Sequence, residues 1–376
     1  MSADTPLVLL AAGGTGGHLF PAEALANALA RRGIAVDLAT DRRAAGYAGK
    51  FPARRIHVLP SDTLRSRNPL RLALTLLVLG YGILRAVLLL LWLRPAAVVG
   101  FGGYPTLPPV LAAWLLRIPR IVHEQNAVLG RANRLLAARA SAIATGYPGI
   151  LAQKAALAIK AVHTGNPVRA AVREAAAHAY EEPAAGKPFR LLVFGGSQGA
   201  RIMSEIVPGA IERSAAPLRA RIRVVQQCRA EDIGEVKAIY ARLGVPAELA
   251  VFFNDMPERI AASHLVIARS GASTVAELAA IGRPSILVPL PHALDQDQLA
   301  NATVLVAAGG ALLIRQDGFS AERLAQELSQ LAEKPAMLAG MAAAARAAGR
   351  ADAAERLADL VVRVAGIEQM RQNKAA

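Results

Sequence analysis

With 376 residues, 54% of them hydrophobic and 19% charged, the chain can form two domains with substantial cores. Its net charge of +15 and pI near 10.8 call for an anionic partner, and nucleic acid, acidic lipid and phosphorylated substrates all qualify. Only 4% of residues are aromatic, too few stacking platforms for single-stranded nucleic acid, and the single cysteine, Cys228, excludes an internal disulfide and a cysteine-based zinc site.

The N-terminus carries Asp4 and a short apolar run with no basic segment before it, so it does not read as a signal peptide, and a cytoplasmic protein is expected. Leu7–Leu10 reads as a buried strand. Gly13-Gly14-Thr15-Gly16-Gly17-His18 follows it, and a helix follows the turn. Such a strand–turn–helix unit offers free backbone N–H groups at the positive end of a helix dipole, which suits a phosphate. The dinucleotide fingerprint G-x-G-x-x-G is not met, because Leu19 stands where its third glycine belongs.

Further β-rich runs at 35–39, 55–59, 97–101, 119–123 and 141–144 alternate with helical stretches, the pattern of a parallel sheet covered on both faces. The C-terminal ends of these strands carry Gly102-Gly103-Tyr104 and His123-Glu124-Gln125-Asn126, where ligands of such sheets bind. Leu70 to Leu93 breaks the rhythm: two uncharged apolar runs flank Arg85. Three readings are open: a membrane span, a buried pair of helices broken at Gly80 and Gly82, and a patch that enters a membrane interface. Arg65, Arg67, Arg71, Arg85 and Arg94 surround the segment, and Asp62 is the lone acid between Arg42 and His123. That charge favours adsorption to an anionic leaflet.

Gly165-Asn166-Pro167-Val168-Arg169 and the polar stretch to Gly186 read as an interdomain connection. The opening pattern then recurs, with a strand at 190–194, the turn Gly195-Gly196-Ser197-Gln198-Gly199 and a helix from Ala200. Strand-like runs follow at 223–226, 250–253, 265–268, 285–288 and 311–314, and an alanine-rich helical end breaks at Pro335. The expected architecture is α/β, two doubly wound Rossmann-like domains facing across a cleft. The expected boundaries are 1–165 and 166–349, with a last helix, about 350–376, packing back on the first domain.

In the second unit Arg269-Ser270-Gly271-Ala272-Ser273-Thr274 opens a helix, and Glu277 lies one turn past Ser273. Free N–H groups with Arg269 suit a diphosphate, and Glu277 can accept from both hydroxyls of a ribose. An ordinary helix capped by Ser270 or Ser273, with Glu277 solvated, fits the same residues. Asp295-Gln296-Asp297 spells a divalent-metal pair, but helix dipoles can serve a diphosphate without one, and no metal or cofactor is expected.

The two glycine turns, Gly102-Gly103-Tyr104-Pro105, His123–Asn126, Gly165–Arg169 and Arg269–Ala272 occur in the order of a known motif series. In this the chain resembles the peptidoglycan N-acetylglucosaminyltransferases of glycosyltransferase family 28, from about residue 6 to about 350. The resemblance implies a GT-B fold and inverting, metal-independent transfer of GlcNAc from UDP-GlcNAc to the C4 hydroxyl of MurNAc in an undecaprenyl-diphosphate-linked acceptor, lipid I. It also implies residence on the cytoplasmic face of the inner membrane, peripherally, alongside cell-wall synthesis machinery and without nucleic acid. By motif, Ser197 and Gln198 line the donor, Ala272, Ser273 and Thr274 face its diphosphate with Gly271, Glu277 holds the ribose, and Phe253 contacts uracil. Asn126, Arg169 and Gln298 fall near the donor sugar and phosphates. Thr15, Gly16, Gly17 and His18 face the reacting centre, with His18 either the base for the acceptor hydroxyl or a phosphate donor, and His123 and Glu124 competing for the basic role. Two departures stand out: Gln226-Gln227-Cys228-Arg229 replaces a His-Gln-x-Gly run, and Asp297 stands where some relatives carry a second glutamine. A non-hydrolysing UDP-GlcNAc epimerase, an NAD-dependent oxidoreductase and a basic membrane scaffold are the alternatives.

Overall fold

The computed structural model describes residues 5–13, 16–42, 51–63, 68–196 and 199–369, apart from the side chain of Leu294. Thr15, Arg65, Arg67, Ser197 and Gln198 lie outside the described residues. The chain forms two compact units, residues 1–169 with 352–376, and residues 170–351.

In the first unit seven strands form one sheet: β1 Leu7–Ala11, β2 Ala35–Thr40, β3 Ile56–Val58, β4 Ala97–Gly100, β5 Arg120–Glu124, β6 Ala142–Thr145 and β7 Ala161–His163. All neighbours are parallel, in the order β3-β2-β1-β4-β5-β6-β7. The order reverses between β1 and β4; β1 leads to Gly13 and on to the helix Gly16–Arg31, and β4 to Gly102–Gly103. A doubly wound sheet opens its ligand crevice at that point. The central strands are buried on both faces, as their unbroken Val, Leu and Ala content dictates. β7 is half-exposed at the edge, and its three residues carry no alternation by which the sequence could announce it.

The second unit repeats the plan with six parallel strands: β8 Phe189–Phe194, β9 Ile222–Gln227, β10 Ala247–Ala250, β11 Leu265–Ala268, β12 Ser285–Leu287 and β13 Ala311–Leu313. Their order is β10-β9-β8-β11-β12-β13, and the reversal lies between β8 and β11, which lead into Gly195–Gly199 and Arg269–Gly271. The third strand of this unit lies three residues earlier than the expected 250–253. β10 pairs with Val224–Gln227, and the chain leaves the sheet at Val251, whose carbonyl accepts from Gln227 Nε2 at 3.1 Å. Hydrophobicity alone favoured Val251-Phe252-Phe253; pairing with β9 places the strand on Ala247–Ala250.

The last helix, Ala353–Ala365, returns to the first unit. Its Leu357, Leu360 and Val361 join the core beneath Gly16–Arg31, and Glu355 and Asp359 accept from Arg32 at 2.9 and 2.6 Å.

Pro69–Leu93 is one helix of 25 residues, not a pair broken at the glycines. Asn68 caps it by accepting from Leu70 N at 2.9 Å, and Pro69 occupies the first turn, where its missing N–H costs nothing. A helical glycine costs only about 1 kcal/mol, which the surrounding leucines override. Gly82 has a separate reason to be glycine: a Cβ there would lie 2.2 Å from the Pro60 carbonyl oxygen, so the 60–62 segment crosses the helix at this point. Asp62 Oδ2 accepts from Thr75 Oγ1 at 3.0 Å beside the crossing. The helix buries one stripe, Thr75, Leu79, Gly82, Ala86 and Leu90, and leaves Leu74, Leu77, Leu84, Leu88, Leu91 and Trp92 more than half exposed.

The two glycines should therefore respond oppositely to alanine. Gly82→Ala should lower stability by about 1–3 kcal/mol through overpacking, whereas Gly80→Ala, with nothing within 4 Å of the new Cβ, should be neutral or stabilising by up to about 1 kcal/mol. Urea unfolding of both variants checks the contrast.

Candidate active site

In the first unit the β1 and β4 turns meet around His18, in the first turn of the helix Gly16–Arg31. Gly13 is glycine because a Cβ would stand 2.9 Å from Pro105 and 3.0 Å from Asp41 Oδ1. Gly102 and Gly103 have φ of 85° and 73°, and a Cβ on either would lie 3.3–3.4 Å from the His18 ring. Both conformation and clearance thus demand glycine. His18 Nδ1 lies 3.3 Å from Gln125 Oε1. Burial lowers the His18 pKa, opposed by the Glu124 carboxylate and by hydrogen bonding to Gln125 and the Phe101 carbonyl. The imidazole is therefore neutral at physiological pH, as a general base requires.

The structure removes both competitors for the basic role. His123 is wholly buried; its Nε2 donates to the Gly165 carbonyl at 3.1 Å, its Nδ1 accepts from Gln125 Nε2 at 3.1 Å, and burial pushes its pKa down to about 4. Glu124 is buried with both oxygens engaged. Oε1 accepts from Asn126 N and Nδ2 at 3.0 and 3.2 Å, and Oε2 from Gly130 N and Asn133 Nδ2, both at 2.8 Å. Asn126 is held at the rim of this cluster, half-exposed. Neither His123 nor Glu124 has a lone pair left facing solvent.

Arg169 belongs to the first unit, with its guanidinium 4.6 Å above the Phe20 ring and near Glu23. Asn166, in the same motif, donates from Nδ2 to the Gln125 carbonyl at 2.8 Å and fills the space a Cβ on Gly146 would need. The Gly165–Arg169 motif thus completes the floor of the His18 site. Gln125, Asn133 and Asn166 take no role from motif matching, and all three are buried polar residues.

In the second unit the helix Ala272–Ile281 starts at the β11 turn. Gly271 is its N-cap and makes no side-chain cap, and Gly271 through Thr274 are half-exposed. Ser270 does not cap it, because Ser270 Oγ donates to the Gln298 carbonyl at 2.8 Å. The first-turn N–H groups therefore face the crevice without a side-chain acceptor, which is the arrangement an anion needs. Glu277 is buried, not solvated, on the same helix.

Arg269 corrects an expectation. Its guanidinium is buried and donates to the Val288 and Pro289 carbonyls at 3.1 and 3.0 Å and to Gln316 Oε1 at 2.6 Å, and burial lowers its pKa. It fastens the β12 exit instead of lending charge to a diphosphate. Phe253 is likewise buried beneath the Arg259 guanidinium, 4.2 Å from the ring centroid, while Phe252 is the exposed aromatic. Gln298 Oε1 accepts from Leu290 N at 3.0 Å, and Asn301, fully buried, donates to the Ser270 carbonyl at 3.2 Å. Asp297 Oδ1 accepts from Gln298 N at 2.7 Å, and among the described residues no three His, Cys, Asp or Glu side chains are grouped to hold a metal.

The Gln226–Arg229 departure is structural. Gln227 Oε1 accepts from Gly195 N at 3.2 Å while its Nε2 holds Val251, so one amide ties the second glycine turn to the Phe252 segment. Gln226 Oε1 accepts from Tyr240 OH at 2.6 Å inside the core.

Two parallel doubly wound sheets, with glycines after the strands at each switch point and a helix start without a side-chain cap in the second unit, define a fold of two Rossmann-like domains, the GT-B class. Models of the glycosyltransferase family 28 N-terminal and C-terminal domains match residues 8–145 and 190–357. The chain belongs to glycosyltransferase family 28. A Rhodopseudomonas palustris (strain BisB18) protein is 62% identical over 367 residues, 98% of each chain, and a Bradyrhizobium (strain BTAi1) protein 59% over 98% of this chain and 100% of its own. Both are named UDP-N-acetylglucosamine–N-acetylmuramyl-(pentapeptide) pyrophosphoryl-undecaprenol N-acetylglucosamine transferase. The crystal structure of Acinetobacter baumannii MurG matches with a TM-score of 0.79 at 29% identity, covering 95% of this chain and 99% of that one. A Neisseria meningitidis UDP-GlcNAc 2-epimerase matches at 0.67 with 15% identity and 95% and 100% coverage, a likeness of fold alone.

Arg269→Met should lower stability by about 2–5 kcal/mol, because three buried acceptors lose a charged donor, and should leave the salt dependence of UDP binding unchanged. Denaturant unfolding and UDP titration at two ionic strengths check the two halves. A steep loss of UDP affinity in the stably folded variant would return Arg269 to the diphosphate.

Proposed function

We propose that this chain transfers GlcNAc from UDP-GlcNAc to the MurNAc C4 hydroxyl of undecaprenyl-diphosphate-linked MurNAc-pentapeptide, lipid I, giving lipid II and UDP with inversion at the anomeric carbon. The observation that carries the proposal is the near-full-length identity of about 60% to relatives bearing one transferase name, on a chain whose His18 stands neutral at a ligand crevice.

Chemically, His18 takes the proton of the acceptor hydroxyl as that oxygen bonds to the anomeric carbon. The bond from that carbon to the UDP β-phosphate oxygen breaks, and its electron pair leaves with the diphosphate. In the second unit, the N–H groups opening Ala272–Ile281 receive that charge, a fixed dipole requiring no reorganisation and no metal. Ser273, Thr274 and Gly271 flank the diphosphate, Glu277 the ribose, and Ser197 and Gln198 line the donor. In the first unit, the Gly13–Gly17 turn takes the acceptor diphosphate.

The helix Pro69–Leu93 supplies the route to a lipid-linked acceptor. By length and composition it could cross a membrane, yet its buried stripe packs on its own unit against the helix Leu107–Leu115. We place it at the interface of an anionic leaflet, on the cytoplasmic side, as a peripheral anchor near cell-wall synthesis machinery. Cations sit beside its aromatics and that of the neighbouring helix: Arg85 beside Tyr81 and Arg55 over Trp92, at 5.9 and 5.4 Å, and Arg139 over Trp114 of Leu107–Leu115, at 5.1 Å.

Radiolabelled GlcNAc transfer to a lipid I analogue, with and without EDTA, tests the reaction: transfer should persist in EDTA. No transfer overturns the assignment, and loss only with EDTA gives Asp295 and Asp297 a metal. His18→Ala should lower kcat by about 10²–10⁴-fold with UDP affinity unchanged. In the wild type, kcat/KM should fall only as pH drops below 6.5, because burial depresses the His18 pKa and the base stays unprotonated to lower pH. An acid limb centred above 6.5 contradicts this. Sedimentation with anionic vesicles should show salt-sensitive binding that Leu77→Glu with Leu88→Glu abolishes; no binding at low salt refutes the anchor.

A further inference from the structure

Gln125 sits between two histidines, and the hydrogen bonds around it run in one direction only. The Gly165 carbonyl can only accept, so His123 Nε2, 3.1 Å away, carries the proton. A neutral imidazole then presents a lone pair at Nδ1, which must accept from Gln125 Nε2 at 3.1 Å. The second acceptor on that side of the amide, the Phe101 carbonyl at 2.9 Å, demands the same orientation. The Gln125 oxygen is thereby turned toward His18, where it lies 3.3 Å from Nδ1 and can only receive a proton. Nε2 of His18 is left with the lone pair and lies beside the Gly102–Gly103 turn, 3.4 Å from where a Cβ on Gly103 would stand.

We propose that Gln125 is the positioning residue of the reaction: through the directional chain Gly165–His123–Gln125–His18 it fixes the Nδ1–H tautomer of His18 and so exposes Nε2 as the basic atom. The chain begins at the Gly165–Arg169 motif and ends at the first glycine turn, which gives two separated sequence motifs one chemical purpose. When Nε2 takes the acceptor proton, Nδ1–H remains donated to the Gln125 oxygen, and the imidazolium forms with its second proton already partnered. The inference rests on the assignment of His18 as base, but the tautomer itself is measurable without turnover.

Ring-nitrogen NMR of the full-length protein with ¹⁵N-histidine, the His18 signals among the 7 histidines being assigned by their absence in His18→Gln, should show Nδ1 protonated and Nε2 bare above the His18 titration. A protonated Nε2 overturns the proposal. Gln125→Leu should let the Nε2–H form appear and lower kcat by about 10- to 100-fold with KM for UDP-GlcNAc unchanged. Unchanged tautomer and kcat in that variant also overturn it. Gln125→Glu keeps an acceptor at Nδ1, so it should hold the tautomer, retain more activity than the leucine variant and raise the His18 titration. The other titratable groups bearing on the ring, Glu124 and His123, are the same in both variants. If Gln125→Leu does not fold, the wild-type tautomer and the glutamate variant decide. Failure of GlcNAc transfer by the wild type, with the Nδ1–H tautomer observed, sinks the functional proposal and not the hydrogen-bond chain.

Discussion

The first unit depends on a carboxylate that would be intolerable in the core without its donors. Glu124 ends β5 almost wholly buried, and it is stable there because two backbone N–H groups and two side-chain amides converge on its two oxygens. Satisfying it bends the chain after β5 into the 126–130 loop and pulls Asn133 underneath. With the loop so folded, the next side chain, Gln125, has one place to go, between His18 and His123. The buried carboxylate thus fixes where Gln125 meets the His18 ring. Replacing Glu124 by an apolar residue would remove the acceptor of all four of these hydrogen bonds, so the loop geometry and the alignment of His18 are tied to one carboxylate.

The two units share a strand order and differ in what their switch points expose. In the first, the helix after β1 presents a titratable ring, and its surroundings are arranged to keep that ring neutral and oriented. In the second, the helix after β11 presents bare N–H groups, and the polar side chains nearby are spent elsewhere: Ser270 on Gln298, Arg269 on the β12 exit, Gln227 on the Gly195 turn. Those commitments hold the crevice walls, and in the proposed reaction they leave the start of Ala272–Ile281, with Ser273 and Thr274, to meet an anion. A preorganised backbone dipole loses nothing to side-chain ordering when a diphosphate arrives, which is the economy of the design.

Strand identity, the parallel doubly wound plan and both glycine turns were legible because parallel buried strands are continuous apolar runs and glycine is conspicuous where the backbone must approach closely or adopt positive φ. Three things were not. The edge strands β7 and β10 are short and half-exposed, so hydrophobicity gave β7 no signal and shifted β10 onto Val251-Phe252-Phe253. The direction of a side chain at a motif position was invisible as well: Arg269 looks like a phosphate ligand by type and is a strut by geometry. Finally, a glycine pair inside an apolar run looks like a helix break, yet Gly82 is a crossing point for the Pro60 segment and Gly80 meets nothing at all.

The helix Pro69–Leu93 shows how far composition alone can mislead in either direction. Its 25 residues span about 37 Å at 1.5 Å per residue, enough for a bilayer core. A spanning segment, however, would have to carry Arg71 and Arg85 with it and surrender the contacts of Thr75, Leu79, Gly82, Ala86 and Leu90 with the Leu107–Leu115 helix and the 60–62 crossing. Burying the stripe in the protein and the opposite face in the outer part of a leaflet satisfies both surfaces at once. In that orientation the arginines would stay at headgroup depth, with Arg55 over Trp92 and Arg85 beside Tyr81. Because the helix packs on the same unit that holds His18, such an orientation would set the first glycine turn at a fixed height over the membrane. A diphosphate on an undecaprenyl tail is confined to that same height, so adsorption alone would turn a three-dimensional search for the acceptor into a two-dimensional one.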